Sequence, residues 1–389
     1  MHKGILLLYI VMASFIESIK KVFLPVHKGV VLGIDIGSSA IKLVALEKVQ
    51  EKVVLRNYGE VFLGPSAGFA PGQSTSLPPE KIAQSLRDLM KEMGVVPHHT
   101  LMSIPFSASL LTVVELPDVD RKELESMIPI EARRYIPVPI SDILLDWWVL
   151  PRRRAEATPN APQSAIPDGI KQVGKIEVII AAIHNEIIKK YETIKMYAQI
   201  PSDLSHFEIE IFSTIRAVVG RDLSPNLVID IGSGSTKLAL IDGGVVRGSH
   251  MISTGGQDIT VALSRSKQIS FKQAEEIKCR SGIVGDHEGR DVLVVTELLI
   301  SNVMNEAARF VENYQRKYNT KITKVILVGG GARLRGIDKV TLQNFPGATI
   351  VIGDPFARVD TPAFLSSTLK EISPNFAVAI GVALKGLEE

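Results

Sequence analysis

Two stretches of the chain share one alternation of apolar and small residues. Residues 30–44 read VVLGIDIGSSAIKLV, and residues 226–240 read NLVIDIGSGSTKLAL. Each predicts a buried strand, a tight turn of small residues, and a second strand returning antiparallel. A hairpin of this kind recurring in the second half of the chain predicts two related lobes facing each other. Around the hairpins, apolar positions at helical spacing predict a helix over 79–93, with Ile82, Leu86, Leu89 and Met90 on one face. Further helices are predicted over 185–198, 210–219 and 271–279. A long one is predicted over 292–318; it opens in a strand-like run and carries Leu298, Val303, Ala307, Phe310 and Val311 on its buried side. Short apolar runs at 100–104, 176–183 and 325–328 predict buried strands, the last running directly into glycines. Polar, proline-containing stretches at 65–76 and 152–174 predict loops. Strand and helix alternate along most of the chain, which predicts an α/β protein.

Composition narrows the function classes. The chain has 389 residues, 46% hydrophobic and 22% charged, enough for two to four subdomains each with a core. A formal net charge of +2 gives no support for nucleic-acid binding, which asks for a strongly basic face. The single cysteine, Cys279, excludes an internal disulfide framework and a cysteine-rich metal site, and fits a reducing cytosol. From residue 30 onward no run approaches the roughly 18 apolar residues that span a bilayer. The apolar stretch at 4–15 lacks the basic start and small-residue cleavage site of a signal peptide. After it, Phe15, Ile19, Val22 and Phe23 share a helical face, opposite Lys20 and Lys21, as in a short amphipathic helix lying in a membrane interface. A start at Met12, with the preceding residues an extension, is an equal reading.

The hairpin turns carry the first candidate chemistry. Glycine lets backbone N–H groups approach a phosphate closely. Gly37, Ser38 and Ser39 in the first turn, and Gly232, Ser233, Gly234 and Ser235 in the second, form a candidate phosphate cradle. Asp35 and Asp230, each at the end of a strand, cannot bind an anionic phosphate but can hold the hydrated Mg²⁺ that bridges phosphates. Lys42 stands where a cation could neutralise phosphate charge, although a lysine on a hairpin is more often simply solvated. A second cluster, Gly329, Gly330 and Gly331, follows a buried strand and leaves room for a flat ring or a phosphate; plain turns also use such clusters. Glu275 and Lys278 share a helical face and could contact ribose and cover an adenine, or form a solvated i, i+3 ion pair. Glu208 and Glu210 precede a helix between the hairpins, and Glu210 is the candidate to orient a water for attack on a terminal phosphate. The histidines show no zinc-ligand spacing.

In this order the pieces resemble the actin/Hsp70/sugar-kinase superfamily. DIGSSAIK at 35–42 and DIGSGSTK at 230–237 match its two phosphate motifs, and VGGGARLRG at 328–336 matches its adenosine motif. AEEIK at 274–278 resembles its adenosine-contacting helix, and NFAVAIG at 375–381 is similar to its final connecting motif. The resemblance implies an actin-like (ribonuclease H-like) two-lobed ATPase fold with ATP and Mg²⁺ in the cleft. LTVVELP at 111–117, IPIEARRYIP at 128–137 and STGGQDIT at 253–260 further resemble the PilM family of type IV pilus assembly, a relative of FtsA. That resemblance implies an inserted 1C subdomain at 105–177. Lobe 1 (1A) would then span 29–104 and 178–224, and lobe 2 (2A/2B) would span 225–389 with a C-terminal return to lobe 1; the amphipathic segment occupies 1–28. It also implies a cytoplasmic scaffold, peripheral to the inner membrane, that docks the cytoplasmic N-terminal tail of a PilN-like membrane protein between 1A and 1C. Hydrolysis rate and self-association stay open. The alternative, an FtsA-like membrane-tethered division filament, would carry its amphipathic helix at the C-terminus, where this sequence has none. A small-molecule kinase would need an aspartate base facing a sugar pocket, and no candidate stands out.

Overall fold

A computed structural model describes residues 29–153, 174–201, 205–284 and 290–388. The amphipathic reading of 1–28 and most of the loop read at 152–174 lie outside the described residues. In the first lobe, β1 (Val30–Ile36), β2 (Ala40–Val49) and β3 (Lys52–Phe62) form an antiparallel meander. Helix α1 (Pro79–Met93) starts with proline at its first position and stops at Gly94, whose φ of 62° is the left-handed cap glycine adopts freely. Its buried stripe of Ile82, Ala83, Leu86, Leu89 and Met93 lies in the core beneath the sheet, and β4 (His99–Ile104) then pairs parallel with β1.

The chain next leaves the lobe through β5 (Ser109–Pro117), α2 (Arg121–Ala132) and β6 (Ile143–Val149), and returns through β7 (Lys175–His184). β5 and β6 both pair antiparallel with β7, giving a separate three-stranded sheet of order β5-β7-β6. Asp120 caps α2 by accepting from the Glu123 N–H at 2.9 Å, and Leu124, Ile128 and Ala132 pack on Val114, Val178 and Ile180 as a small core of their own. β7 belongs to this sheet along its whole length, so the strand runs through residue 177 without a break. Helix α3 (Asn185–Ala198), β8 (Ser205–Ile209) and α4 (Glu210–Val218) bring the chain back to the first lobe, where β8 pairs parallel with β4.

The second lobe repeats the first. β9 (Asn226–Ile231), β10 (Thr236–Asp242) and β11 (Val245–Ile252) form a meander; α5 (Gly256–Lys267), α6 (Phe271–Ser281) and α7 (Arg290–Tyr318) follow, then β12 (Lys324–Val328), α8 (Ile337–Asn344) and β13 (Thr349–Ile352). The strand orders β3-β2-β1-β4-β8 and β11-β10-β9-β12-β13 coincide, with the same alternation of antiparallel and parallel pairs. The long helix expected over 292–318 runs from Arg290 to Tyr318, and the strand-like run at its opening is helical. Its buried stripe is Ile300, Val303, Met304, Ala307, Val311 and Tyr314; Leu298 falls off that stripe and is 60% exposed, contrary to the expected buried side. An i, i+3/i+4 pattern continuing to the end of the helix outweighs the β-branched residues at its start.

After α9 (Ser366–Ile372), the last helix, α10 (Ala377–Glu388), returns to the first lobe and packs between its sheet and α4. This approach is too close for side chains at two points. A Cβ on Gly381 would stand 1.8 Å from the Ser213 carbonyl oxygen, and one on Gly33 would stand 2.2 Å from that of Ala379. Both obstacles are backbone, which cannot rotate away. Gly381→Ala is expected to cost about 3 kcal/mol of stability, the upper end of overpacking effects, read as a lowered denaturant midpoint at unchanged slope. A midpoint equal to wild type would show that α10 can lift off α4 without loss.

Candidate functional site

The two hairpin turns face each other across a cavity of about 790 Å³ between the lobes. Register explains why their charged residues converge. In the first hairpin Asp35 lies directly opposite Lys42, and in the second Asp230 lies directly opposite Lys237. Each turn is closed in the same way, Gly37 N–H donating to the Ala40 carbonyl and Gly232 N–H to the Ser235 carbonyl, both at 3.0 Å. All but one of the residues singled out from the sequence line this cavity: Asp35, Gly37, Ser38, Ser39 and Lys42; Glu210; Asp230, Gly232, Ser233, Gly234 and Ser235; Glu275 and Lys278; Gly329, Gly330 and Gly331; the exception is Glu208.

Charge pairs are arranged symmetrically around the cavity floor. Asp35 accepts from the Ser103 hydroxyl at 3.1 Å, and the Lys42 ammonium stands 3.9 Å from Asp35 and 3.8 Å from Glu60. On the other side the Lys237 ammonium stands 3.2 Å from Glu210 and 3.6 Å from Asp230. Burial pushes the Glu210 carboxyl up; Lys237 opposes this, while the neighbouring Asp230 and Asp35 charges add to it. Burial alone would lower Lys237, but Asp230, Glu210 and Asp35 outweigh it and keep the ammonium protonated. Glu210 also accepts the Phe106 backbone N–H at 2.6 Å. Glu208, the other carboxylate considered before α4, is withdrawn from the cavity into a buried pair with Arg216.

Other sequence candidates acquire more definite roles. Lys278 is buried and donates to the Gly256 carbonyl at 3.1 Å, to the Thr260 hydroxyl at 3.0 Å and to Glu275 at 2.7 Å. It therefore ties α6 to α5, which replaces the reading of a solvated surface pair. Two of the three clustered glycines are required by the protein itself. A Cβ on Gly329, whose φ is 80°, would meet Asp230 Oδ1 at 2.4 Å, and one on Gly331 would meet Ile231 Cγ2 at 2.2 Å. Only Gly330 of the three faces open space among the described residues. The loop read at 65–76 begins with a 3-10 turn and then crosses the cleft. Ser74 N–H donates to Gln257 Oε1 at 2.5 Å, and the Ser74 hydroxyl links Ser38 at 3.1 Å to Ser233 at 3.0 Å. Ser74, Ser103, Phe106 and Lys237 are not among the residues singled out from the sequence. Of these only Lys237 carries a signal there, because the repeated hairpin gives it the position that Lys42 holds in the first.

Two sheets of the same order, with DxG hairpins meeting across a cleft, define an actin-like two-lobed ATPase fold. The family model described as type IV pilus assembly protein PilM matches residues 33–387, and the chain belongs to that family. It is similar to the solved PilM-PilN type IV pilus biogenesis complex, at 25% identity and a TM-score of 0.74 over 94% of this chain and 100% of that one. Ethanolamine utilization protein EutJ from Carboxydothermus hydrogenoformans shares the fold, at 16% identity and a TM-score of 0.50 over 91% of this chain and 88% of that one. EutJ from Escherichia coli strain K12 is 26% identical over 123 residues, 32% of this chain; the match spans only 40% of that relative's length. The family match sets the branch as PilM rather than an FtsA-like division protein.

Proposed function

We propose that the cleft holds ATP with Mg²⁺ and that the chain is a nucleotide-binding scaffold of the pilus inner-membrane platform. It docks the cytoplasmic N-terminal tail of a PilN-like membrane protein beside the inserted sheet. The observation that carries this reading is the juxtaposition of a two-sided phosphate-type cleft with a separately cored sheet, in a chain whose similar solved structure is a complex with PilN.

The residues present fit the cofactor. The facing turns offer backbone N–H groups and hydroxyls to phosphates, and Lys42 and Lys237 offer positive charge from each lobe. Asp35, Asp230 and Glu210 are oxygen donors of the kind Mg²⁺ takes, and their mutual repulsion is relieved by a divalent cation. Among the described residues no group of three or more His, Cys, Asp or Glu side chains forms a metal cage; the cleft carboxylates would hold a hydrated ion through water. Bound Mg²⁺ would supply neutralisation of phosphate charge. Glu210, in the cleft and raised by burial, would be the carboxylate that orients a water. Partner docking would use apolar side chains that the inserted subdomain leaves exposed, Ile130, Tyr135 and Val149. No helix among the described residues is long and apolar enough to cross a membrane. Attachment at the cytoplasmic face would come through the partner or through the amphipathic segment read at 1–28.

The test is a titration of a labelled peptide from the PilN N-terminal tail, run without nucleotide, with Mg-ATP and with Mg-ADP. Specific binding is expected, with affinities differing between nucleotide states by about five-fold or more, the usual lower range of such couplings. ATP binding without any peptide binding would leave the fold standing and remove the docking function.

A further inference from the structure

The inserted sheet belongs to the first lobe by sequence, yet its strongest polar attachment is to the second. Glu177 on β7 is the centre of that attachment. Its carboxylate accepts from Arg247 of β11 at 2.7 Å and from the Tyr318 hydroxyl of α7 at 2.7 Å. Arg153, four residues past the end of β6, reaches the same carboxylate at 3.2 Å, and its guanidinium carbon lies 3.1 Å from the centroid of the Tyr318 ring. Arg247 also donates to the Pro151 carbonyl at 2.6 Å, and the Ser249 hydroxyl to the Leu111 carbonyl at 3.2 Å. Arg153 and Arg247 are almost wholly buried, and Glu177 is 15% exposed. Charge-assisted bonds in such surroundings are strong and break together, because each cation loses its anion at once.

The same sheet has a second tie, at its root. The Phe106 N–H that binds Glu210 opens the connection from β4 into β5, so the insert is fastened directly to a carboxylate lining the cleft. One tie reports the position of a cleft residue, and the other reports the position of the second lobe. Whatever changes the angle between the lobes, or moves Glu210, must strain one tie unless the sheet moves with it.

We propose that Glu177 is the pin of an inter-lobe lock through which nucleotide in the cleft sets the state of the inserted sheet. The proposal deepens the nucleotide-scaffold reading and rests on it. A ligand contacting both hairpins favours one lobe angle; the lock passes that preference to β5, β6 and β7, and a partner docked there binds the two states unequally. Glu177 touches neither nucleotide nor metal and acts as a positioning residue.

Amide hydrogen exchange over 109–117, 143–149 and 175–184, with and without Mg-ATP, tests this without needing a partner peptide. In the wild-type chain Mg-ATP is expected to change exchange in these strands by about five-fold or more. In Glu177→Gln the nucleotide affinity is expected to stay within about two-fold of wild type, while the nucleotide-dependent change in the sheet is reduced to what the Ser249–Leu111 and Lys317–Glu115 contacts still transmit. If Glu177→Gln does not fold, Tyr318→Phe decides, since it removes one donor only: a reduced change supports the lock and a full-sized change overturns it. A change of equal size in wild type and Glu177→Gln also overturns it, as does wild-type nucleotide binding with no change in the sheet. Absence of Mg-ATP binding to the wild-type chain would instead overturn the nucleotide reading itself.

Discussion

Asp35→Ala and Asp230→Ala are each expected to weaken Mg-ATP binding by about ten- to hundred-fold, the range set by losing one charge-assisted contact to a bound ion. Folding is expected to survive both changes, and the pairing around the cleft floor gives the reason. Removing Asp35 leaves Lys42 with Glu60 at 3.8 Å, and removing Asp230 leaves Lys237 with Glu210 at 3.2 Å. Each lysine keeps a carboxylate, so neither variant strands a buried cation. Ser103 loses its partner on Asp35, a cost of about 1 kcal/mol that a folded chain of this size absorbs. Calorimetric titration with and without Mg²⁺ separates the roles. A loss confined to the Mg²⁺ arm assigns the carboxylates to the ion; an equal loss in both arms would assign them to the nucleotide; unchanged affinity in both variants would remove the cleft assignment.

Most of the site could be read from the sequence because it is built from a repeat. The two DxG hairpins fix their own register, and register places Asp35 against Lys42 and Asp230 against Lys237 without further information. Helices with clear caps were equally legible: α1, between Pro79 and Gly94, matches its periodicity from end to end. What the sequence hid depends on neighbours distant along the chain. Nothing local to Ser74 shows that it crosses to Gln257 and Ser233, and nothing local to Phe106 shows that its N–H is taken by Glu210. The non-sequential order β5-β7-β6 arises because the strand after the long connection inserts between its two predecessors, a choice made by the core around Val178 and Ile180. Leu298 lies beside the helical stripe in sequence, but the packing partners of α7 select a narrower face that leaves it exposed.

Glu208→Gln is expected to destabilise the fold by about 3–5 kcal/mol, the usual cost of breaking a buried ion pair from one side. Glu208 is fully buried and meets both Arg216 terminal nitrogens at 2.7 Å, with the buried Lys385 ammonium at 3.7 Å and the Ser213 hydroxyl also donating to it. Glutamine keeps the shape and loses the anion, so two buried cations from α4 and α10 face each other with less compensation. Burial raises the Glu208 carboxyl, but the charge and hydrogen bonds of Arg216, with Lys385 and Ser213, outweigh it and hold the carboxyl below its ordinary value of 4.5. A carboxyl whose value is lower in the folded chain than in the unfolded one adds stability above the unfolded value. That contribution is lost as pH falls through the folded value. Below pH 4.5 the wild-type chain should therefore lose stability more steeply than Glu208→Gln, and the two denaturation midpoints, far apart at pH 7, should converge. Parallel pH profiles would mean that Glu208 is not the ionised partner of Arg216. At pH 7 the folded fraction of Glu208→Gln is expected to bind Mg-ATP about as well as wild type, because Glu208 sits behind the cleft that Glu210 faces. A binding loss beyond the loss of fold would show instead that the Arg216 pair sets where α4 presents Glu210 to the nucleotide.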